Sequence, residues 1–394
     1  MGVIKLIEIV RKIVKPTTEN RKKVYFQDVD NLYPNRIKGL IENSPTAFRS
    51  AKLMAKFIVG KGLKNEALYD LIIDNTLNLN VNDFGFSLAK SLSYQNGFFV
   101  HISYKYDTVS GNIIPSYSKL IPFEDSRISR SDDDGYLGKL YVKEWDNREL
   151  FSNKSNETKE YYSFTKKQDE IIEQIKHNWK VKRKDKPFEL TEAIQIFNGQ
   201  YYYCNSSIGD VYPLSNIHPV MNDCDTEYRI GNYTNGEFRK GMLGKVIVQT
   251  NGLTEEQEDE TYKVFQNFMG DENSSDMVFF PANLGDGQTF EDAIKVTQLK
   301  PQYDEKFISE TIPRLRRNIM ASFNNIPEPL VMSSDSALFG TSGETYSEMK
   351  KFYSEQCDEE RYAVSKFFKD VYDYEVEFIT FGSEVVQLNT EENA

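Results

Sequence analysis

Apolar residues recur at helical spacing early in the chain, between residues that commonly begin and end helices. Ser44 and Pro45 supply an N-cap and a first-turn proline, and Gly60 and Gly62 follow the last apolar position. The stripe between them consists of Phe48, Ala51, Ala55 and Ile58. We predict one helix over residues 44–60 that buries this stripe.

The same spacing recurs on both sides of a break near Asn80. The apolar positions are Leu68, Leu71 and Ile72 before the break, and Phe84, Leu88 and Leu92 after it. This pattern predicts two further helices, and the Asn96-Gly97 pair ends the second of them.

From residue 98 the pattern changes to the alternation that is typical of strands. The residues on one face of the first strand are Phe98, Val100, Ile102 and Tyr104. Polar residues 107–112 predict a hairpin loop, and Asp134-Gly135 predicts a further turn. We expect a small antiparallel sheet over residues 98–145.

In the second half of the chain, residues 245–250 and 277–280 are short strand-like segments on either side of an acidic helix. Thr254 and Gln257 form a capping box at the start of that helix. Another helix is predicted after Pro301 from four apolar positions, Ile308, Ile312, Leu315 and Ile319. We expect Pro313 to kink or divide it.

Residues 325–329 contain two prolines and should end that helix. Residues 331–343 then predict a loop that carries Met332, Leu338 and Phe339 among polar residues. A last long helix follows, with its apolar stripe at Tyr346, Met349, Tyr353, Cys357, Val364, Phe368 and Val371. We therefore interpret Cys357 as a packing residue.

Residues 1–15 have an amphipathic pattern that ends at Pro16. Its apolar positions are Val3, Leu6, Val10 and Ile13. A helix that docks on its own or a neighbouring subunit fits this pattern, and so does a helix that binds a membrane surface or a partner. Charged residues interrupt the segment and no cleavage site follows, so we expect neither an export signal nor a membrane span.

Composition narrows the function classes. The chain has 394 residues, a net charge of -12 and 39% hydrophobic residues, which predicts a folded protein of two or three domains at ~150 residues each. An acidic chain is a poor general coat for nucleic acid, because affinity for phosphates comes from clustered Lys and Arg. A weakly repulsive channel through which DNA slides remains compatible with this charge.

No motif at diagnostic spacing predicts catalysis, a cofactor or a metal site. The segment 241–245 lacks the spacing of a phosphate-binding loop, and residues 132–135 fail the EF-hand register. Three histidines lie far apart, and three cysteines are too separated for a zinc site or a disulfide framework. A basic run fits either a phosphate-binding patch or, more simply, a solvated face: Lys180, Lys182, Arg183, Lys184 and Lys186.

Several segments, taken in order, resemble a tailed-bacteriophage portal protein of the head-tail connector family. NSPTAFRSAKLMAKFIVGKGL (43–63) resembles the family's early helix and Gly-x-Gly, and SLSYQNGFFVHISY (91–104) is similar to its helix, Asn-Gly turn and strand. NIMASFNNIPEPLVM (318–332) and TSGETYSEMKKFYSE (341–355) resemble its helix, proline-containing stop, mobile loop and long helix. The resemblance covers roughly residues 31–145 and 213–372, and we can place no counterpart for residues 146–212.

This resemblance implies an α+β protomer with a mixed helix and antiparallel-sheet wing, a helical stem, a small α/β clip and a C-terminal helical crown region. The implied boundaries are an N-terminal amphipathic helix and arm at 1–30, the wing at 31–215, stem helices at 216–240 and 301–325, the clip at 241–300, the tunnel loop at 326–343, and a long wing or crown helix with a tail at 344–394.

The function implied by the resemblance is a non-enzymatic ring, usually of twelve copies, at one capsid vertex of a virion. The ring would be assembled in the host cytoplasm and would conduct the genome during packaging and ejection. Its implied partners are other copies of the chain, the terminase large subunit, major capsid and scaffold proteins, head-completion adaptor or tail proteins, and double-stranded DNA in the channel. Neither a membrane nor a cofactor is implied.

Carried onto this sequence, the resemblance places a tunnel loop that faces DNA at Met332, Ser333, Ser334, Asp335, Leu338 and Phe339. We expect its three apolar residues to line the narrowest part of the channel. Arg314, Arg316 and Arg317 in the second stem helix would contact phosphates or pair with neighbouring carboxylates.

Two alternatives stay open. A carboxylate-dependent hydrolase or nuclease would show turnover or need a divalent metal. An aromatic-rich binding module would be a monomer or a small oligomer without a pore. The sequence has no residues at diagnostic spacing for either alternative.

Overall fold

The computed structural model describes residues 24–129, 138–143, 145, 158–184, 186–206, 211–239, 246–251, 256, 259–260, 263, 277–282, 294–298, 305–332 and 343–382. These residues form a mixture of helices and strands, which confirms the α+β class. The chain divides into two compact units. The first consists of Met1–Cys224 and Arg317–Ala394, and the second of Asp225–Arg316.

Helices and strands are interspersed in the first unit up to residue 205. In chain order they are α1 (Tyr33–Asn43), α2 (Pro45–Val59), a 3₁₀ helix (Glu66–Asp70), β1 (Ile72–Asp74), β2 (Leu79–Asn80), α3 (Val81–Gln95), β3 (Gly97–Tyr106), β4 (Ile113–Ile121), β5 (Ser126–Ile128), β6 (Leu140–Val142), β7 (Lys159–Ser163), α4 (Gln168–Lys182), α5 (Leu190–Gln195) and β8 (Gln200–Asn205).

The rest of the chain is mostly helical outside a small sheet. Its elements are a 3₁₀ helix (His218–Val220), α6 (Met221–Arg239), β9 (Val246–Asn251), β10 (Met277–Ala282), β11 (Ile294–Gln298), α7 (Glu305–Ser322), α8 (Glu328–Val331), α9 (Gly343–Gln356) and α10 (Asp358–Tyr372). In the second unit, β9 pairs in parallel with β10 and antiparallel with β11.

The sheet of the first unit is larger than the sequence predicts. Its six strands have the order β4-β3-β8-β7-β6-β5. Within it, β3 pairs with β4 and β5 pairs with β6, both antiparallel, as predicted for residues 98–145. The pattern of that segment does not predict β7 and β8, which come from the residues after it. These two strands also pair in parallel, through Tyr162 with Gln200 and Ser163 with Tyr201. The turn predicted at Asp134-Gly135 lies outside the described residues.

The caps predicted for α2 are present. The Ser44 hydroxyl accepts a hydrogen bond from the amide of Ala47 at 3.2 Å, which satisfies one of the free donors of the first turn. Gly60 has a φ of 68°, and a Cβ there would come within 2.2 Å of the carbonyl oxygen of Ile379. Since the amide of Lys61 donates to that same carbonyl at 2.7 Å, the glycine lets the C-terminal segment approach closely.

Two predictions need correction, one for residues after Gly60 and one for a residue before it. The helix predicted around Leu68 is a 3₁₀ turn followed by strand β1, and Leu71 and Ile72 are exposed. Phe48 is exposed as well, although the other three members of its predicted stripe are buried. The helix predicted after Asn80 is confirmed as α3, which ends at Asn96 in the left-handed conformation.

The strand face predicted for β3 is buried in the main core. Phe98, Val100, Ile102 and Tyr104 all belong to this core, together with residues of α2, α3 and α10. The Phe98 and Phe367 rings meet edge to face with centroids 6.2 Å apart. The opposite face of β3 is also covered, because Phe99 stacks on Tyr203 in a second, smaller cluster.

The C-terminal helices differ from the prediction in their continuity. The predicted last long helix is two helices, α9 and α10, which are separated at Cys357. Cys357 is fully buried, as its interpretation as a packing residue requires. In contrast, α7 runs undivided through Pro313.

Two predicted helices lie wholly or mostly outside the described residues. They are the amphipathic segment 1–15 and the acidic segment that begins at Thr254. No helix in the described part of the chain is long and apolar enough to span a membrane.

Candidate functional site

Helices α6 and α7 are joined side by side by polar contacts. The Asn318 side-chain amide donates to Asp223 Oδ2 at 2.9 Å. Farther along α6, Glu227 Oε1 lies 3.6 Å from Arg316 Nε. As the residue number rises in α6 it falls in α7, so the two helices run antiparallel where these side chains meet.

The ion pair in this contact is partly buried. The side chain of Glu227 is only 8% exposed, whereas that of Arg316 is 44% exposed. A buried carboxylate is costly to desolvate unless a cation or hydrogen-bond donors compensate it. Of the two roles expected for Arg316, the structure therefore shows the ion pair.

Arg314 and Arg317 have a different environment. Both side chains are exposed, and neither forms an ion pair with any side chain in the described part of the chain. They lie three residues apart in α7, a spacing that places them on adjacent positions of the helix surface. Leu315 and Ile319 on the same helix are buried, so α7 is amphipathic and carries these two arginines away from its packed side.

The segment after α7 turns sharply at two asparagines. Asn324 and Asn325 have φ values of 55° and 53°, in the left-handed region that asparagine tolerates better than most residues. The helix consequently ends at Ser322, before the prolines that the sequence pattern marks as its end. Asn325 is the first residue of the predicted stop at 325–329, whereas Asn324 is a local signal that lies outside that prediction.

Short helix α8 then fixes the start of the predicted tunnel loop. Arg49 Nε donates to the carbonyl of Val331 at 3.0 Å, and Val331 is buried. Met332 is half-buried and packs against the main core. The prediction of a loop from residue 331 onward is wrong at its first residue, which is helical. Ser333, Ser334, Asp335, Leu338 and Phe339 lie outside the described residues.

Helices α9 and α10 hold the end of α7 in place. The Tyr353 hydroxyl donates to the carbonyl of Phe323 at 3.1 Å. The Asn324 side-chain amide donates to the Gln356 carbonyl and to Glu360 Oε1, each at 2.9 Å. Burial raises the pKa of Glu360 above its usual range.

The three histidines, which are the remaining candidates for a catalytic or metal site, each contact a different residue. His101 contacts the carbonyl of Asn198 at 2.8 Å, His177 contacts the Tyr162 hydroxyl at 2.9 Å, and His218 contacts the Tyr33 hydroxyl at 3.2 Å. Within the described residues, no group of three or more His, Cys, Asp or Glu could hold a metal ion.

The basic run lies at and just after the C-terminal end of α4. Its five members are exposed, but two of them have partners in the same unit. Lys182 Nζ donates to the carbonyl of Ile196 at 2.6 Å, and Lys186 lies 3.8 Å from a Glu192 carboxylate oxygen. These partners accord with a solvated face at the end of a helix, where cations are favoured by the helix dipole.

No protein-family model and no curated protein matches this sequence. Among solved structures, the chain is similar to a chain of the virion of a native gene transfer agent (GTA) particle, with a TM-score of 0.49 and 11% identity over 98% of this chain and 91% of that chain. For a chain of the neck of the native GTA particle, computed with C12 symmetry, the TM-score is 0.46 with 12% identity over 95% of this chain and 88% of that chain. For a chain of the neck of the empty GTA particle, computed with C6 symmetry, the TM-score is 0.47 with 11% identity over 91% of this chain and 86% of that chain.

Proposed function

We propose that the chain is a portal-type subunit, which assembles into a ring at one vertex of a tailed-phage-like capsid. The observation that carries the proposal is the order of its elements. Three groups of elements follow one another in the same order as the segments that resemble the portal family. They are helix α2 with Gly60 and Gly62, then α3 with Asn96 and β3, and then α7 with its proline-containing stop before α9.

The connection between the two units supports the same assignment. The chain enters the second unit within α6 and returns within α7, and these helices contact each other through Asp223 with Asn318 and through Glu227 with Arg316. In the proposal α6 and α7 are the stem helices, and strands β9, β10 and β11 belong to the clip. The six-stranded sheet and the helices that pack on it form the wing.

A ring requires a heterologous interface, in which one surface of each copy fits a different surface of the next. Large apolar side chains that would benefit from such burial are exposed on the first unit, among them Leu77, Val109 and Tyr362. We propose about twelve copies per ring, in keeping with the family that the sequence resembles.

The proposed role is structural and assigns no catalytic step to the chain. The ring would conduct double-stranded DNA during packaging and ejection. It would bind capsid and scaffold proteins, then the terminase large subunit, and later a head-completion adaptor or tail proteins. Arg314 and Arg317, together with the loop that follows Met332, would be the groups nearest to DNA.

Location in the particle tests this proposal. The chain would be produced with a C-terminal affinity tag, and purified particles would be labelled with tag-specific gold and imaged by electron microscopy. We expect label at one vertex per particle. Label over the whole shell, label on the tail tip, or its absence from particles that contain the major capsid protein would overturn the proposal.

A further inference from the structure

An exposed helix face with both acidic and aromatic side chains continues from α9 into α10. The amide of Cys357 donates to the Ser354 carbonyl at 3.3 Å, and the amide of Arg361 donates to the Cys357 carbonyl at 3.0 Å, so hydrogen bonds carry the chain from one helix to the next. Five exposed residues recur along this face at alternating steps of four and three positions, as residues on one side of a helix do. These residues, which we call the acidic face, are Glu348, Phe352, Glu355, Glu359 and Tyr362.

The acidic face is open to solvent in a single copy. Phe352 and Tyr362 are 44% and 67% exposed. Its three glutamates form no ion pair with a cation in the part of the chain that the structure describes. Exposed aromatic side chains that alternate with charged ones are typical of a surface that another protein covers.

A second exposed face, with basic and aromatic side chains, lies at the C-terminal end of α4. The Phe188 ring meets the Trp179 ring edge to face with centroids 6.3 Å apart, and Lys176 Nζ lies 6.0 Å from the centroid of Phe188. The segment after α4 therefore folds back on the helix and holds Phe188, which is 41% exposed, among the cations. The residues of this basic face, all exposed, are Lys176, Lys180, Arg183, Lys184 and Phe188.

The two faces are different surfaces of the first unit. Next to the basic face, Lys182 Nζ donates to the carbonyl of Ile196, which follows α5. Next to the acidic face, Arg361 donates to the carbonyls of Phe57 and Ile58 at the end of α2. Among the described residues, no ion pair joins one face to the other within the chain. Each face therefore keeps its charge and its aromatic side chains available to another molecule.

We infer that the basic face of one copy docks on the acidic face of a second copy of this chain. The opposite charges select this pairing and fix its register, while Phe188 packs against the aromatic side chains between the glutamates. Because two different surfaces meet, the contact is heterologous and repeats from copy to copy until a ring closes. The inference deepens the proposed function and rests on it, since the second copy is the neighbour in the proposed ring.

Charge reversal tests this inference in the full chain, with rings counted by mass photometry and negative-stain electron microscopy. The basic-face variant is Lys176→Glu/Lys180→Glu/Arg183→Glu, and the acidic-face variant is Glu348→Lys/Glu355→Lys/Glu359→Lys. We expect each variant alone to form about tenfold fewer rings than the wild type, because like charges then meet at every contact. The control Lys52→Glu/Lys105→Glu/Lys119→Glu reverses three exposed lysines outside both faces and should assemble as the wild type does.

A mixture of the two variants gives the sharpest result. One variant has two acidic faces and the other has two basic faces, so alternating copies restore opposite charges at every contact. We expect the mixture to form rings within about twofold of the wild-type count. Assembly that is lost in only one variant, that is lost equally in the control, or that the mixture does not restore would each overturn the inference.

Crosslinking of the wild type keeps the test independent of how the variants fold. A water-soluble carbodiimide would join lysine amines to carboxylates that touch them, in rings assembled from mixed ¹⁴N-labelled and ¹⁵N-labelled chains. Mass spectrometry should find crosslinks between copies from the lysines of the basic face to the glutamates of the acidic face. Crosslinks confined to one polypeptide, or to residues outside the two faces, would overturn the inference.

The wild-type arm separates this inference from the proposed function. Wild-type rings that persist at the same count in both face variants would overturn the inference and leave the ring proposal standing. Wild-type chains that stay monomeric, alone and with scaffold protein, would overturn both.

Discussion

The guanidinium of Arg361 lies at the carbonyl end of α2, where its Nη2 donates to the carbonyl oxygen of Phe57 at 3.0 Å. Its Nε donates to the carbonyl of Ile58 at 3.1 Å, and Nη2 also reaches the Ser354 carbonyl at 2.9 Å. The last carbonyls of a helix have no partner within the helix, and a cation is favoured at this end of the helix dipole. Buried Arg361 of α10 thus connects two helices that are far apart in sequence.

This contact predicts a large loss of stability on truncation. Arg361→Met leaves several buried carbonyls without a donor, and we expect the free energy of unfolding to fall by about 3 kcal/mol. Trp145 and Trp179 both belong to the first unit, so urea denaturation followed by tryptophan fluorescence reports on that unit. The control Lys366→Met removes an exposed cation from the same helix and should cost less than ~0.5 kcal/mol. Equal losses in the two variants would contradict this role of Arg361.

Buried Glu360 predicts a pH-dependent gain in stability on neutralisation. Asn324 donates to its Oε1, but its Oε2 is buried without a hydrogen-bond partner among the described residues. Burial raises the pKa of Glu360 above the usual 4.5. As the pH rises above 4.5, the unfolded chain releases this proton before the folded chain does, so the native state loses stability through that window.

Glu360→Gln has no such proton to release. We therefore expect its stability relative to the wild type to increase between pH 4.5 and pH 7, as measured by urea midpoints at several pH values. Glu359→Gln makes the same change of charge at the exposed neighbouring residue and should alter stability by less than ~0.5 kcal/mol. A stability difference for Glu360→Gln that stays constant with pH would rule out the buried ionisation.

Replacement of the different arginines of α7 should lower the stability of the protein by different amounts. Arg316→Met removes the cation next to buried Glu227, and we expect a loss of about 1 kcal/mol, between the values typical of exposed and of buried pairs. Arg314→Met should cost less than ~0.5 kcal/mol, because its exposed side chain forms no ion pair with described residues. Thermal unfolding followed by circular dichroism measures both. The same loss for both variants would contradict a specific role for the Arg316-Glu227 pair.

In the portal proposal, the DNA-facing role then belongs to Arg314 and Arg317. We expect Arg314→Gln/Arg317→Gln to change the nuclease-protected DNA per particle while ring assembly persists. Arg316→Gln serves as the control, since it should affect stability more than DNA content. Quantitative PCR on nuclease-treated particles gives the readout. An unchanged DNA content in the double variant would remove these two residues from the channel.

The tunnel-loop prediction concerns the apolar residues after Met332. If Leu338 and Phe339 line the narrowest part of the channel, Leu338→Ser/Phe339→Ser should reduce the packaged or retained DNA. Ser333→Ala/Ser334→Ala changes the same loop without removing apolar side chains, and we expect a smaller effect. Gel analysis of DNA extracted from particles after a holding period would show the loss. Wild-type packaging and retention in the first variant would refute the assignment.

Local signals account for the parts of the fold that the sequence predicts well. Ser44 and Gly60 act within one helical turn of themselves, so the bounds of α2 follow from neighbouring residues. Asn96 ends α3 in the left-handed conformation for the same local reason. Alternation alone predicts the buried face of β3, because side chains of a strand point to opposite faces in turn.

Features that depend on distant residues are not predictable in this way. Strand β8 pairs Cys204 with Phe98 in β3, and nothing in either segment specifies the other. The stripe of the last predicted helix continues across Cys357, so the apolar pattern does not reveal the separation of α9 from α10. Phe48 has the spacing of a core residue, but spacing cannot show which side of a helix the rest of the fold leaves open.

In the candidate site, too, some features follow from the local sequence and others depend on distant residues. The sequence identifies the arginines of α7 as candidates but cannot choose between phosphate and carboxylate partners. Only the packing of α6 on α7 brings Glu227 to Arg316. The role of Arg361 has no local signature either, because two of the carbonyls that it satisfies, those of Phe57 and Ile58, belong to a helix near the other end of the chain.

The assembly state of the purified chain is the most direct test of whether it is a portal-type subunit. The chain would be produced alone and together with scaffold protein, then studied by mass photometry and negative-stain electron microscopy. We expect rings of about twelve copies, with rotational symmetry in class averages and an open central pore. A chain that stays monomeric in both preparations, or that forms closed oligomers without a pore, would contradict it.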